Sequence, residues 1–179
     1  MRASLLLGSL ILAGCGSEVP SPTERQELER AAASGAEASA RPRVELTRTG
    51  LSIGDRSLPF ATQQDEVIEQ LQPVIGLPGN FTRATECGAG ELFVVTYASG
   101  LTLNFQSDAF AGWFYDGSEG DFALSGGVGV GSDVSDLGAS YRPIDSTLDG
   151  EFSYGDAIGG FAADGRISAL YAGVNCFAR

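Results

Sequence analysis

The 179-residue chain contains no histidine, and its eleven basic residues are all arginine, so it has no lysine either. Each absence closes a set of reactions. Without imidazole there is no Ser-His-Asp or Cys-His machinery, no histidine metal ligand and no side chain that titrates near neutral pH as a general base. Without lysine there is no Ser-Lys dyad, no Schiff base and no P-loop cation. Positive charge is scarce as well: 11 Lys and Arg stand against 23 Asp and Glu, a net of −12. From Gly50 onward, Arg56, Arg83, Arg142, Arg166 and Arg179 face seventeen acids, whereas Gly16 to Thr49 is close to balanced. A field of that sign repels DNA, RNA and anionic headgroups, so nucleic acid is excluded as a partner. What remains for catalysis is carboxylate chemistry, either a glycosidase-like acid/base pair or an all-oxygen metal site. A domain this small has little room for a sugar cleft, and the expectation is a protein that is not an enzyme.

The apolar stretch from Leu5 to Leu12 is far shorter than the ~20 residues of a membrane-spanning helix. With Arg2 before it and small residues after it, it reads as the core of a signal peptide. The run Leu12-Ala13-Gly14-Cys15 resembles the lipobox of bacterial lipoproteins. That resemblance implies cleavage after Gly14, with a thioether-linked diacylglycerol and an N-acyl chain on Cys15 and no other cofactor. Two or more chains anchor stably, where a single chain binds only marginally. Gly16 and Ser17 follow with no aspartate. By similarity to enterobacterial lipoproteins, this implies a periplasm-facing protein of the outer rather than the inner membrane. The alternative is an ordinary secreted protein cut near Ala13, with Cys15 left as a thiol.

Setting Cys15 aside leaves Cys87 and Cys176, an even pair in an oxidising compartment, and one disulfide is expected. It would close a loop of about 90 residues, for which chain entropy gives ~4 kcal/mol. A redox or metal-binding pair has neither C-x-x-C spacing nor a histidine partner to support it.

The chain divides into residues 1–14 as signal peptide, 15–43 as lipidated cysteine and tether, 44–124 as a first folded unit and 125–179 as a second. The tether is polar and Ala/Ser-rich, with helix formers at Thr23 to Ala33 but no sustained apolar face. Fully extended it reaches ~90 Å, and as a coil on the order of 30 Å. In the first unit, Leu51 to Gly54 is a short strand signal and Thr62 a helix cap. Val67, Ile68, Leu71, Val74 and Ile75 fall on one helical face, with Pro73 predicted to end or kink the helix near Gln72. Residues 91–97, 101–106 and 110–115 read as a three-stranded meander. The second half follows the same plan: Val128 to Gly131 parallels Leu51 to Gly54, Ser132 caps a shorter helix bearing Val134, Leu137 and Tyr141, and strands resume at Phe152. Phe105, Asp108, Tyr115 and Gly117 recur 56 positions later as Phe161, Asp164, Tyr171 and Gly173, which suggests a degenerate duplication. The fold class expected is α+β, two related strand–helix–antiparallel-meander units packed as one compact domain.

That layout, Leu51 to Gly79 followed by strands, resembles the small outer-membrane lipoproteins of the barrel-assembly machinery. The tandem arrangement resembles the β-lactamase inhibitory proteins, over roughly residues 50 to 176 and at the level of layout. Both act by binding proteins, so the resemblance implies a protein-binding module, an assembly factor or inhibitor, on the membrane through its lipid anchor. The acidic field suits a cationic envelope partner. Trp113 and Tyr115, on one face of a strand, are the candidate partner surface, with Phe114 on the other. Asp116, Glu119 and Asp121, in a glycine-rich loop, are candidate Ca²⁺ ligands for a small-ligand or cation-binding alternative, although the spacing is not that of an EF-hand loop. Asp108 and Asp164 are the candidate carboxylate pair for a hydrolase. The glycines from Gly126 to Gly131 lack a P-loop lysine and read as a strand or bulge linking the units.

Overall fold

The computed structural model describes Thr23, Gln26 and residues 44–117 and 122–177. In the first of two units, Met1–Ser39, Thr23 and Gln26 are helical and exposed; all that follows concerns the second, Ala40–Arg179. No helix among the described residues is long and apolar enough to cross a membrane.

Three short strands open this unit: β1 (Val44–Thr47), β2 (Gly50–Ile53) and β3 (Arg56–Pro59). They pair antiparallel in sequence order, and β8 (Phe122–Ala123) adds itself parallel to β1. Helix α1 (Gln64–Ile75) follows, then a meander of β4 (Asn80–Ala84), β5 (Leu92–Thr96), β6 (Leu101–Gln106) and β7 (Ala109–Tyr115). A 3-10 helix, η1 (Val134–Ser140), precedes a second meander of β9 (Tyr141–Pro143), β10 (Glu151–Tyr154), β11 (Ile158–Ala163) and β12 (Arg166–Gly173). The last strands of the two meanders pair antiparallel. The result is one eight-stranded sheet in the order β4-β5-β6-β7-β12-β11-β10-β9. The molecule is thus a mixed α+β domain made mostly of sheet.

One face of the large sheet carries the core. Leu103, Trp113, Tyr115, Phe152 and Leu170 from the sheet join Leu46, Leu51 and Leu58 from the small sheet and Val67 and Leu71 from α1 in a single buried cluster. The Trp113 Nε1–H donates to Thr47 O at 2.9 Å, satisfying the indole where β7 passes β1. The five apolar positions of α1 face this core as their spacing predicts, with Val67 and Leu71 fully buried.

Several local expectations need correcting. Thr62 is not the cap of α1. Gln63 precedes the helix, and the Thr62 hydroxyl donates to Pro59 O at 2.7 Å. Pro73 does not end the helix, which continues to Ile75; its ring withholds one N–H with only the last turn still to come. Asp133, not Ser132, caps η1 by accepting from Ser135 N at 2.9 Å. Tyr141 lies in β9 rather than on the short helix. The glycine-rich segment is a set of turns with Gly126, Gly127 and Gly131 at φ 91°, 84° and 87°, not a strand. The first meander has four strands, because β4 pairs along β5 from Asn80 to Ala84.

Both helix–meander runs share fine detail. The residue before each helix bridges to the strand after the following hairpin, Gln63 to Ala109 and Asp133 to Arg166. Both hairpins turn on two residues of positive φ, Ser107 and Asp108 in one and Asp164 and Gly165 in the other. Both then shift register, at Asn104/Phe105 and at Phe161/Ala162. Ser107 therefore sits where Asp164 does, and Asn104 where Phe161 does, a separation of 57 positions rather than 56. The residue match at 56 sets Tyr115 against Tyr171, which point to opposite faces of the sheet: Tyr115 pairs with Leu170 on the core side, and Tyr171 with Phe114 on the other.

Candidate functional site

The strand alternation decides the first candidate. Trp113 and Tyr115 do share a face, but it is the core face, and they are 0% and 1% exposed. They are not a partner surface. Phe114, between them, points to the opposite side of the sheet and is half-buried. Asp108 and Asp164 lie exposed at their hairpin tips. Since β7 and β12 are antiparallel neighbours and each starts at its own tip, the two carboxylates sit at opposite ends of the sheet and cannot act on one bond. Asp116 is exposed just past β7, while Glu119, Asp121 and Cys15 lie outside the described residues. Among the described residues no group of three or more His, Cys, Asp or Glu could hold a metal ion.

The outer face of the eight-stranded sheet, away from α1 and the small sheet, can be read rung by rung. Thr96, Thr102, Phe114, Tyr171, Gly159 and Ser153 are successive cross-strand partners from β5 to β10. The Tyr171 ring lies flat across Gly159, where a Cβ would come within 2.2 Å of it. This posture carries the Tyr171 hydroxyl to Glu151, to whose Oε1 it donates at 2.7 Å. Glu151 is 4% exposed, a carboxylate held under the aromatic layer.

The chain's last described residues cross this face. Beyond β12, Val174 N donates to Ala111 O at 2.9 Å. The Asn104 amide donates to Val174 O at 3.0 Å and to Asn175 Oδ1 at 2.9 Å. Gly112 is what lets this strap lie close, because a Cβ there would fall 2.2 Å from Val174 O. The Phe177 ring then packs against Phe114, Phe161 and Tyr171 at centroid distances of 6.0, 5.4 and 4.9 Å. A hollow of about 290 Å³ opens beside the strap, walled by Val94, Thr102, Phe114, Cys176 and Phe177 among others.

The strap also brings the two cysteines together. Cys87, in the loop between β4 and β5, is buried, Cys176 is exposed, and the two are free thiols close enough to interact. Interaction with the Cys87 thiol, followed by desolvation and the Cys87 charge, pushes the Cys176 thiol above its ordinary pKa, with the Gly88 amide acting in the other direction. A larger hollow of about 530 Å³ lies at the β4 edge, lined by Gln64, Arg83, Glu91 and Asp108. Its chemistry is already used: Arg83 pairs with Glu91 at 2.6 Å and sits 5.7 Å over the Phe93 ring.

Sequence reasoning missed Asn104, Glu151, Tyr171 and Phe177 as members of one surface. Phe114 had a signal, the parity of β7. The others are joined only by the β7–β12 pairing and by the returning strap, neither of which has a local pattern.

No protein-family model matches the chain, and comparison with curated proteins returns no match. Among solved structures, the chain is similar to the uncharacterized protein yfeY from Escherichia coli, with 11% identity, 75% of this chain and 97% of that one covered, and a TM-score of 0.41. A likeness of that size supports no statement about this chain's activity.

Proposed function

We propose that this chain is a lipid-anchored, non-catalytic binding module of the bacterial envelope whose protein partner meets the outer face of the eight-stranded sheet. The observation that carries the reading is the division of that sheet. One face is filled by α1 and the small sheet, while the other presents Phe114, Phe161, Tyr171 and Phe177, all half-buried, on a rigid antiparallel platform. Aromatic rings held this way offer large contact area at low entropic cost. This face takes the role first expected of Trp113 and Tyr115.

Three further elements belong to the reading. Cys15 carries the acyl chains that hold the module on the outer membrane, and the tether gives it reach. Cys87 and Cys176, free thiols brought together by the strap, close the expected disulfide on oxidation. The two helix–meander runs are related units, supported by the turn and register shift shared at a separation of 57 and by a like bridge from the residue before each helix. The partner is cationic, in keeping with the chain's net charge of −12.

The anchor is tested by the mass of the mature N-terminal peptide. It should begin at Cys15 with the added acyl mass, and Cys15→Ala should move the protein from the detergent to the aqueous phase. The binding face is tested by adding the same charge to either side of the domain. Thr102→Arg, on the outer face, should cut in-cell crosslinking to partners by roughly tenfold or more. Ser57→Arg, exposed on the small sheet, should leave it unchanged. The reverse pattern rejects the outer face.

A further inference from the structure

We propose that Cys87 and Cys176 are a thiol–disulfide latch that fixes the C-terminal strap across the outer sheet face, so that the redox state of the pair sets how open that face is. This rests on reading the outer face as the binding surface and names its regulation.

The geometry separates the strap from the fold beneath it. Leu103, Trp113 and Tyr115 are fully buried on the core side of the sheet, whereas Val174 to Phe177 cross the opposite side. The strap is held by the Val174 N–H on Ala111 O, by the two bonds from Asn104, by the Asn175 amide donating back to Ala172 O at 3.0 Å and Gly173 O at 3.4 Å, and by Phe177 on the aromatic layer. A contact set that small opens locally without the sheet unfolding. A covalent bond from Cys176 to the β4–β5 loop, anchored at buried Cys87, would pin the strap at both ends, at Gly173 and at Cys176.

The exchange chemistry is set by exposure. With a small-molecule disulfide RSSR as oxidant, the exposed Cys176 thiolate attacks one sulfur and releases RS⁻. Cys87 then displaces the second RS⁻ from the mixed disulfide. Two protein thiols become one disulfide, RSSR becomes two RSH, and the two thiol protons pass to the departing thiolates. In reverse, an incoming RS⁻ attacks the exposed Cys176 sulfur and Cys87 leaves as a thiolate that takes up a proton; a second RS⁻ then attacks the mixed disulfide on its RS sulfur, releasing RSSR and the Cys176 thiolate, which is protonated in turn.

The test uses the full-length chain carrying Cys15→Ala, in which Cys87 and Cys176 are the only thiols, equilibrated either with oxidised glutathione or with a phosphine reductant and without any partner. Hydrogen exchange is followed at Val174, on the strap, and at Leu103, in the central strand β6. In the reduced chain Val174 should exchange roughly tenfold or more faster than Leu103, and oxidation should remove two hydrogen atoms and slow Val174 at least about tenfold. Adding Asn104→Ala should quicken Val174 further in the reduced chain and leave it slow in the oxidised one. Failure to form the intramolecular crosslink overturns the latch, as does an unchanged Val174 on oxidation. Val174 tracking Leu103 in the reduced chain, or loss of the native Trp113 fluorescence on reduction, makes the pair a global staple and overturns it too. Because no partner is present, these outcomes are separate from the crosslinking results on Thr102→Arg, which test the face itself.

Discussion

Tyr97 keeps its hydroxyl in the core, 2% exposed and with no hydrogen-bond partner among the described residues. Burial pushes its pKa from 10.0 up to about 12. The folded state therefore holds this proton more tightly than the unfolded chain does. The associated stability is fully present below pH 10 and is lost as pH rises through 12. Urea midpoints measured at pH 9 and at pH 11.5 should fall steeply for the native chain and less for Tyr97→Phe. At neutral pH the same variant should be as stable as the native chain or up to ~1 kcal/mol more so, because it removes an unsatisfied buried group. Trp113 is the opposite case, fully buried with its indole N–H paired to Thr47 O, and Trp113→Ala should cost about 3–5 kcal/mol in a denaturant titration. A partner-surface residue would not show that loss, so this value also checks its reassignment to the core.

Among the elements, the strap and the helix show what was and was not legible. Helix α1 announced itself through Val67, Ile68, Leu71, Val74 and Ile75, because a 3.6-residue period is a local property. Strand β6 did so through alternation, and β5 and β7 through β-branched and aromatic content. Strand β4 (NFTRA) did not, since it is exposed over four of its five residues and exists because β5 offers it a ladder. Strands β1, β3 and β8 are likewise creatures of pairing, whereas β2 was signalled at Leu51 to Gly54. Asn104 is the clearest miss: it reads as an outward polar residue of an alternating strand, yet it is 5% exposed because Val174 and Asn175 return over it. Asn104→Ala should therefore destabilise by about 1–3 kcal/mol, measured by urea unfolding, where an exposed strand amide would cost almost nothing. Gly112→Ala tests the same element from below, and its methyl should displace the strap at Val174.

At the scale of the molecule, two helix–meander runs meet at β7 and β12, and residues 174–177 then return across the seam. A Cys87–Cys176 bond would close a loop running from the turn after β4 to the strap, about two thirds of the folded region. The Cys87→Ser/Cys176→Ser double variant should lose about 2–4 kcal/mol against the oxidised native chain, and little against the reduced one. The four-residue match at 56 positions misled because chemical likeness does not respect faces. The separation of 57, which aligns turns, register shifts and core positions such as Val95 with Phe152, leaves Tyr97 and Tyr154 as one of its few shared residues. The absence of lysine and histidine, by contrast, was fully legible, and it left the surface as the place to look for function. The most direct measurement of that surface is in-cell photocrosslinking of the lipidated chain, with a photoreactive residue placed at Thr102 on the outer sheet face or at Ser57 on the small sheet. A binding module that uses the outer face gives discrete protein adducts from Thr102 and none from Ser57. Adducts from Ser57 alone, or equally from both, would contradict it.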